Sequence, residues 1–290
     1  MYIKGSTKYR EMINQPGTIF MPGVYDSLSA KLAERAGFKI ITHTGYGTAA
    51  SLLGMPDIGL VSFKEMCERV TYIARSVNIP LMTDADTGYG NSINVYRTIK
   101  EYIGGGAAGL FIEDQVWPKR CGHMAGKNII PADEMVGKIK AAIDSRNEYD
   151  PDFVVGARTD AIATHGFDEA IKRAKLYSEV GADFILIDAY ETIDQMKKAV
   201  QEVKVPLMVN LVEGGKTPLI DSQQAQDIGF KMVCFPLTTL LSATKAMIRN
   251  LQALKQTYSP KSYIEDLTTW SEFNEIIGVP EVSKMEEKYK

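Results

Sequence analysis

Short runs of apolar residues recur along the chain, and each is followed by a segment whose apolar positions repeat with helical spacing. Alternation of buried strands with amphipathic helices is typical of a parallel sheet covered by helices. The predicted strands span residues 18–21, 39–43, 80–83, 109–112, 153–157, 184–187, 207–209 and 232–235. The predicted helices span residues 27–36, 62–76, 91–104, 134–145, 167–180, 192–202, 222–228 and 239–254.

Four of the predicted helices end at or just before a glycine that precedes the next strand, namely Gly37, Gly106, Gly181 and Gly229. Glycine readily takes the left-handed conformation that closes a helix. Eight units of this kind predict an α/β fold, a (β/α)8 TIM barrel. Barrels of this class commonly reach the present 290 residues as one unit, so we expect a single domain over residues 1–290.

Residues 258–290 continue beyond the eighth unit and form a predicted C-terminal helical extension. Its apolar residues, among them Leu267, Trp270, Phe273 and Ile277, repeat at roughly helical spacing. A closed barrel has no uncovered strand left for this stripe to bury, so we expect it to pack on a neighbouring subunit. The alternative is a helix that lies against its own barrel.

Composition excludes several classes of partner. The net charge is −3 and no dense run of Lys and Arg occurs, so neither nucleic acid nor a membrane surface is expected. No apolar run reaches the roughly 18 residues of a membrane span, and residues 1–17 lack the apolar core of a signal peptide. Three scattered cysteines favour a reducing compartment. We expect a soluble cytoplasmic protein that acts on a small molecule.

Polar residues are concentrated directly after the predicted strands, where barrel enzymes place their active sites. Asp84 and Asp86 follow the third strand and Glu113 follows the fourth. If the chain stays extended, Asp84 and Asp86 point the same way, and two like charges there require a neutralising cation. Carboxylate oxygens of this kind predict a site for Mg²⁺ or Mn²⁺, completed by water and substrate. The alternative is an ion-pair network with Arg158 and Lys119.

The segment 118–127 follows the fourth strand and is too polar and glycine-rich for a core, so it is predicted to form a mobile lid. Cys121 lies in it beside Lys119, Arg120 and His123. Neighbouring positive charge favours the reactive thiolate form of a cysteine. Cys67 and Cys234 lack such company and are interpreted as inert buried thiols.

Four strings in this order resemble the isocitrate lyase and phosphoenolpyruvate mutase superfamily: TDADTGYG at 83–90, IEDQ at 112–115, KRCGH at 119–123 and GARTDA at 156–161. The cysteine-containing string is similar to that of the lyase branch. The resemblance covers about residues 15–255 and continues more weakly into the tail. It implies a barrel whose last helix is exchanged between the subunits of a dimer, usually within a homotetramer.

The resemblance also implies roles for individual residues. Asp84, Asp86 and Glu113 would hold Mg²⁺ directly or through water, and Cys121 would be the general acid. Tyr46, Asp57 or a metal-bound water could be the base. The other residues that match family site positions are Thr44, Gly45, Lys119, Gly122, His123, Arg158, Asn210 and Glu213. Asp188 stands where the family usually has Glu, and the effect of this shorter carboxylate is not assigned.

For the reaction, the resemblance implies cleavage of a 2-hydroxy dicarboxylate to pyruvate and a short carboxylic acid. Leu241 and Trp270 match positions where methylisocitrate-cleaving members carry arginines. Without those cations a further carboxylate would be buried unpaired, so an alkylmalate such as 2,3-dimethylmalate is the expected substrate. Cleavage of 2-methylisocitrate, hydrolysis of oxaloacetate and phosphonopyruvate-type chemistry remain the alternatives.

Overall fold

The computed structural model describes residues 4–122, 124 and 126–290. Eight parallel strands form a closed barrel in sequence order, each hydrogen-bonded to the next and β8 to β1. The strands are β1 Ile19–Val24, β2 Ile41–His43, β3 Leu81–Asp84, β4 Gly109–Glu113, β5 Val154–Thr159, β6 Phe184–Ile187, β7 Leu207–Asn210 and β8 Met232–Phe235. The predicted (β/α)8 barrel is confirmed.

Helices connect the strands on the outside of the barrel, with shorter turns at its carboxyl end. They are α1 Gly5–Asn14, α2 Ser27–Arg35, α3 Gly45–Thr48, α4 Phe63–Ser76, α5 Ser92–Gly105, α6 Ala132–Tyr149, α7 Ile162–His165, α8 Phe167–Val180, α9 Ile193–Glu202, α10 Ser222–Ile228, α11 Thr238–Thr257, α12 Trp270–Ile277 and α13 Val279–Lys288. One turn of π-helix, Ala49–Leu53, follows α3.

The predicted strands and helices agree with the structure to within a few residues. The four glycines expected to close helices, Gly37, Gly106, Gly181 and Gly229, have φ between +95° and +112°. The elements missed are α1, α3, α7, the π-helical turn and the division of the tail into α12 and α13. All are short or lie outside the repeating unit, so periodicity gives them little signal.

The core has two parts. Large side chains from alternate strand positions fill the barrel interior, including Met21, Phe184 and Met232, and a second apolar layer separates the strands from the helices. At the amino end of the strands α1 closes the barrel, where Tyr9 is fully buried and its hydroxyl donates to the sulfur of Met232. Side chains therefore fill the barrel interior toward the amino end of the strands, which leaves the carboxyl end as the place for a site.

The tail differs from the rest of the chain. None of the residues of α11, α12 and α13 is buried, and Trp270 is 80 % exposed. The helix α12 contacts α2 of its own barrel, where Arg35 and Glu275 lie 3.8 Å apart. The predicted stripe of Leu267, Trp270, Phe273 and Ile277 is thus solvent-exposed in the single chain.

Within the described ranges, none of the helices combines the length and the apolar character that crossing a bilayer would require.

Candidate active site

A pocket opens at the carboxyl end of the barrel, and most of the predicted site residues line it. Those residues are Thr44, Gly45, Tyr46, Asp57, Asp84, Lys119, Cys121, Gly122, Arg158, Asp188 and Asn210. The cavity volume is about 60 Å³. A water molecule needs about 10–15 Å³ measured in this way, so the pocket suits a compact ligand of a few water-sized groups.

Asp84 and Asp86 converge, although not in the way that an extended chain would bring them together. Strand β3 ends at Asp84, whose Oδ1 accepts the backbone N–H of Asp86 at 2.9 Å, and Asp86 has φ +47°. The chain therefore turns after the strand, and the expected extended geometry is wrong. Asp84 Oδ2 and Asp86 Oδ1 nevertheless lie 3.2 and 3.4 Å from the point where a Cβ on Gly45 would stand.

Lys119 lies between two of the acids. Its Nζ donates to Asp57 Oδ2 at 2.7 Å and lies 2.8 Å from Asp86 Oδ1. Burial opposes the charge of this ammonium group, but Asp86 and Asp57 raise its pKa well above the usual value. Burial also raises the pKa of Asp57, against the opposing effect of Lys119. Lys119 thus keeps its proton and fixes both carboxylates.

Arg158 lies among three carboxylates. Its Nε and Nη2 donate to the two oxygens of Asp160 at 3.0 Å each. Nη2 also lies 3.1 Å from Asp188 Oδ2, and Nη1 lies 3.4 Å from Glu113 Oε2. Glu113 and Arg158 are register partners on β4 and β5, which explains their approach. The network of acids with Lys119 and Arg158, considered as an alternative to a metal site, therefore exists.

Glu113 is only partly satisfied by this network. The residue is 1 % exposed, and its Oε1 has no hydrogen-bond partner among the described residues. Burial raises the pKa of Glu113 well above its usual value, although Arg158 and Lys119 oppose the shift. A buried carboxylate oxygen without a donor is costly, so this atom marks a position where a cation or a proton is required.

The buried charges at this end do not balance. The cations are Lys119, Lys127, Lys138, Arg158 and Arg173, whereas the carboxylates are Asp57, Asp84, Asp86, Glu113, Asp114, Asp160 and Asp188. Seven carboxylates against five cations leave a surplus of two formal negative charges if all are ionised. Such a surplus is unfavourable in a poorly solvated site unless a cation binds or protons are taken up.

The residues fit a divalent cation that is completed by other ligands. Within the described residues, no group of three or more His, Cys, Asp and Glu side chains is arranged to hold a metal ion by itself. Asp84 and Asp86 nevertheless converge, and Glu113 Oε1 lacks a donor. Hard divalent ions such as Mg²⁺ usually keep several waters and use few protein carboxylates. The direct ligand set of Asp84, Asp86 and Glu113 stays a prediction.

The segment after β2 forms the wall of the pocket beside Asp84 and Asp86. Thr44 caps α3 by accepting the N–H of Gly47 with its hydroxyl, so the turn at Gly45 and Tyr46 is fixed. Beneath it, His43 contacts the hydroxyls of Thr83 and Thr48 at 2.9 and 2.7 Å. Burial, together with Arg69, lowers the pKa of His43 to about 3. A neutral histidine therefore supports this wall.

Cys121 and Gly122 reach the pocket from the segment after β4. The backbone N–H of Cys121 donates to the carbonyl of Asp57 at 3.1 Å, which places the half-buried cysteine beside the acids. A Cβ on Gly122 would lie 1.8 Å from Asp188 Oδ2, so the glycine backbone packs directly on that carboxylate. His123, also predicted to contact substrate, lies outside the described residues.

Some predicted positions do not line the pocket. Asp86 and Glu113 are buried and contact its lining residues Lys119 and Arg158. Glu213 is exposed in a neighbouring groove, where its carboxylate accepts from the Thr238 hydroxyl. Leu241 lines that same groove, and Trp270 is far more exposed than a pocket residue would be. Instead, Val212 and Leu237 contribute to the pocket wall near the ends of β7 and β8.

Two buried charged residues were missed by sequence reasoning, namely Lys127 and Asp160. Lys127 Nζ donates to Asp160 Oδ1 at 2.7 Å and also to the carbonyl of Gly122. Asp160 stands two residues after Arg158 in the string used for the family resemblance, which was the available signal. Lys127 ends the predicted lid, and nothing in its immediate sequence indicates burial.

The chain matches a family model described as phosphoenolpyruvate phosphomutase over residues 9–255. It is 41 % identical to 2,3-dimethylmalate lyase of Eubacterium barkeri over 284 residues, which cover 98 % of each chain. It is also 41 % identical to 2-methylisocitrate lyase of Aeropyrum pernix over 275 residues, covering 95 % of this chain and 88 % of the relative.

Solved structures give the same grouping. A crystal structure of 2,3-dimethylmalate lyase matches with a TM-score of 0.94 and 36 % identity, covering 99 % of this chain and 96 % of the other. Oxaloacetate acetylhydrolase with the inhibitor 3,3-difluorooxalacetate matches with a TM-score of 0.93 and 35 % identity, covering 99 % of this chain and 97 % of the other. Phosphonopyruvate hydrolase with oxalate and Mg²⁺ matches with a TM-score of 0.90 and 29 % identity, covering 99 % of both chains.

Proposed function

Since the chain belongs to the phosphoenolpyruvate mutase and isocitrate lyase superfamily, we propose that it cleaves 2,3-dimethylmalate between C2 and C3 to pyruvate and propionate. The protein is a carbon–carbon lyase, because named lyases are among its relatives. The choice of substrate within that class is our proposal, and it rests on the lining of the pocket.

The observation that carries the choice is that Lys119 and Arg158, the Lys and Arg side chains among the described pocket-lining residues, lie beside the acids that follow β3 to β5 and not on the side of β7 and β8. On the side of β7 and β8 the wall carries Asn210 and the apolar groups of Val212, Pro236 and Leu237. 2-Methylisocitrate carries a third carboxylate, which would lose water there without gaining a cationic partner. A methyl group would instead gain apolar contact.

Leu241 and Trp270 do not line the described pocket of the single chain, so the apolar contact expected of them must come from other residues. Leu237, one helical turn before Leu241, takes the position at the pocket wall. The preference for an alkylmalate therefore depends on residues of the loops after β7 and β8.

We propose a divalent cation, Mg²⁺ or Mn²⁺, at Asp84, Asp86 and Glu113. The crystallised phosphonopyruvate hydrolase contained Mg²⁺, which supports a divalent metal in the family. When bound, the cation would act as a Lewis acid toward the C1 carboxylate and C2 oxygen of the substrate. It would also offset the surplus of negative charge. We expect turnover to stop with EDTA and to return when Mg²⁺ is added.

The protein side chains would handle two protons. A base takes the proton of the C2 hydroxyl, and Asp57 and Tyr46 are the candidates that line the pocket. The C2–C3 bonding pair then passes to C3 as C2 becomes the carbonyl of pyruvate. Cys121 donates its thiol proton to C3, completing propionate, and is reprotonated from solvent. Arg158 and the turn at Gly45 and Tyr46 would hold the carboxylates of the substrate.

We also propose that the single barrel domain assembles as a homotetramer of helix-exchanged dimers, with residues 258–290 as the exchanged extension. Support comes from α11, α12 and α13, which bury no residue in the single chain. Exposed apolar surface of this extent usually marks an interface. Light scattering should give four chains for the full protein, and a monomeric mass would refute the assembly.

A pyruvate-coupled assay with a panel of substrates tests the reaction. We expect 2,3-dimethylmalate to have a kcat/KM at least about 100-fold above that of 2-methylisocitrate, because an unpaired buried carboxylate is strongly disfavoured. A preference for 2-methylisocitrate would refute the alkyl pocket. Acetate and oxalate formed from oxaloacetate, with no cleavage of alkylmalates, would instead identify an oxaloacetate hydrolase.

A further inference from the structure

Lys127 joins three parts of the site that are distant in the chain. Its Nζ donates to Asp160 Oδ1 at 2.7 Å and to the carbonyl oxygen of Gly122, and lies 4.0 Å from Asp188 Oδ2. Its side chain is only 1 % exposed. An ammonium group offers three donors that can be directed independently. Lys127 therefore bridges a backbone carbonyl beside Cys121 and the carboxylates behind the pocket.

Asp160 provides a fixed anchor for this bridge. Its N–H donates to Asp114 Oδ1 at 3.0 Å, and Asp114 in turn accepts from Arg173 at 3.0 Å and from Tyr177 at 2.9 Å. Although burial opposes its charge, Arg158 and Lys127 hold the pKa of Asp160 well below its usual range. The anchor is thus an ionised carboxylate that packing and hydrogen bonds hold in one orientation.

Gly122 is pressed against the same cluster. A Cβ at this position would lie 1.8 Å from Asp188 Oδ2 and 2.3 Å from Arg158 Nη2, so only a glycine backbone can come this close. Cys121, the preceding residue, is held at its own N–H by the carbonyl of Asp57. The position of Cys121 thus depends on two backbone hydrogen bonds, of which the one at Gly122 involves Lys127.

We infer that Lys127 is a positioning residue, which holds Gly122 against the Arg158–Asp188 ion pair and thereby sets the place of Cys121 over the substrate. The inference rests on the proposed role of Cys121 as the proton donor. Lys127 itself does not line the pocket in the described structure and needs no contact with substrate. Its loss should therefore lower kcat more than it raises KM, because misplacement by about an ångström can cost on the order of 100-fold.

The test is the rate at which iodoacetamide alkylates Cys121. Mass spectrometry of the peptide that contains Cys121 measures this rate separately from alkylation of Cys67 and Cys234. Rates are measured from about pH 7 to about pH 10, because the plateau at high pH reports access whereas the midpoint reports the thiol pKa. No substrate is needed. The alkylation rates can therefore be interpreted even if the proposed substrate proves wrong.

We expect the plateau rate to rise about tenfold in Lys127→Met, since releasing Gly122 permits local opening. Lys175→Met is the matched control: Lys175 also pairs with a carboxylate, Glu202 at 2.6 Å, but on the outer helices. It should keep the wild-type rate and wild-type kcat. A wild-type plateau in Lys127→Met would overturn the inference, even if the midpoint moved.

Lys127→Arg serves if the methionine variant does not fold. It keeps the charge beside Asp160, but a larger, planar guanidinium does not reproduce the three donors that the ammonium group directs from one nitrogen. We expect a plateau about threefold above wild type and a kcat between those of wild type and Lys127→Met. A wild-type plateau and a wild-type kcat in the arginine variant would show that Gly122 does not depend on this bridge.

Discussion

The two ends of the barrel treat buried charge in opposite ways. At the amino end, Asp183 receives hydrogen bonds from Arg10, from Arg146 and from the N–H of Val155. At the carboxyl end, seven buried carboxylates meet five cations, and Glu113 Oε1 has no donor among the described residues. At the amino end the chain itself supplies the hydrogen-bond partners of the carboxylate. At the carboxyl end the carboxylates require a bound cation or protons.

This difference separates stability from function within one fold. The partners of a fully paired carboxylate offset the cost of its burial, so that removing one of them destabilises the chain, and the carboxylate offers nothing to a ligand. An unpaired one destabilises the chain but can bind a cation and a substrate. Barrel enzymes in general place their chemistry at the carboxyl end, and here the balance of charge points to the same end.

The largest expected effect is at Asp86, on the unbalanced end. Asp86→Asn should lower turnover of 2,3-dimethylmalate by at least about 1000-fold in saturating Mg²⁺, since cation stabilisation of the transition state is worth several kcal/mol. Pyruvate release measures it. Asp183→Asn, the same substitution at the other end, should keep kcat within about twofold. Equal losses in both variants would remove the distinction between the ends.

The next effect concerns Cys121. Cys121→Ser should fold normally, because the residue is only half-buried, and should lose on the order of 100-fold or more in kcat, the usual scale for a missing general acid. Circular dichroism and pyruvate release give the two readouts. Cys67→Ser, a change in a half-buried thiol on α4, is the control and should keep wild-type kcat. Undiminished kcat in Cys121→Ser would exclude the thiol as proton donor.

Stability should respond at the paired end. Asp183→Asn breaks the contacts with Arg10 and Arg146, which lie 3.0 and 2.9 Å away. We expect the free energy of unfolding to fall by about 2 kcal/mol, less than for a fully buried pair because these side chains are partly exposed. Urea denaturation measures the change. If the free energy of unfolding were unchanged while kcat fell, Asp183 would serve function rather than stability, which would contradict the distinction between the two ends.

A change in stability of similar size should appear at His43, but only as the pH falls. Its pKa is lowered to about 3 in the folded chain, mainly by burial, so below pH 6.5 only the unfolded chain takes up this proton. Its contribution to stability is complete above that pH and is lost as the pH falls toward 3. The loss should reach roughly 2 kcal/mol by about pH 5.

His43→Gln should remove that part of the pH dependence, although the variant is less stable at neutral pH. His165→Gln, a change at an exposed histidine, should keep the wild-type profile. Urea denaturation at a series of pH values distinguishes them. An unchanged slope in His43→Gln would mean that the buried ring does not control acid stability.

Much of the barrel could be predicted from sequence because each strand and helix carries its own local signal. The acids Asp84, Asp86 and Glu113 were found for the same reason, since parallel strands bring their carboxyl ends together. The turn after Asp84 was missed, because the hydrogen bond from Asp86 N–H to Asp84 Oδ1 competes with extended backbone.

Pairings between loops could not be predicted. Lys127 meets Asp160 across 33 positions of sequence, and no periodicity records such a contact. The placement of Leu237 rather than Leu241 at the pocket depends on where α11 begins, within a turn that sequence patterns locate only to a few residues. The tail is a further case, because its apolar stripe is exposed in the single chain and its helical spacing does not indicate what would cover it.

Equilibrium binding of Mn²⁺ without substrate tests most directly whether the charge surplus at the carboxyl end is a cation site. We predict one site per chain in the wild-type protein, an affinity at least about tenfold weaker in Asp86→Asn, and wild-type affinity in Asp183→Asn. Titration calorimetry or the signal of free Mn²⁺ in electron paramagnetic resonance gives the values. Equal affinity in all three proteins, or no binding to the wild type, would contradict the account.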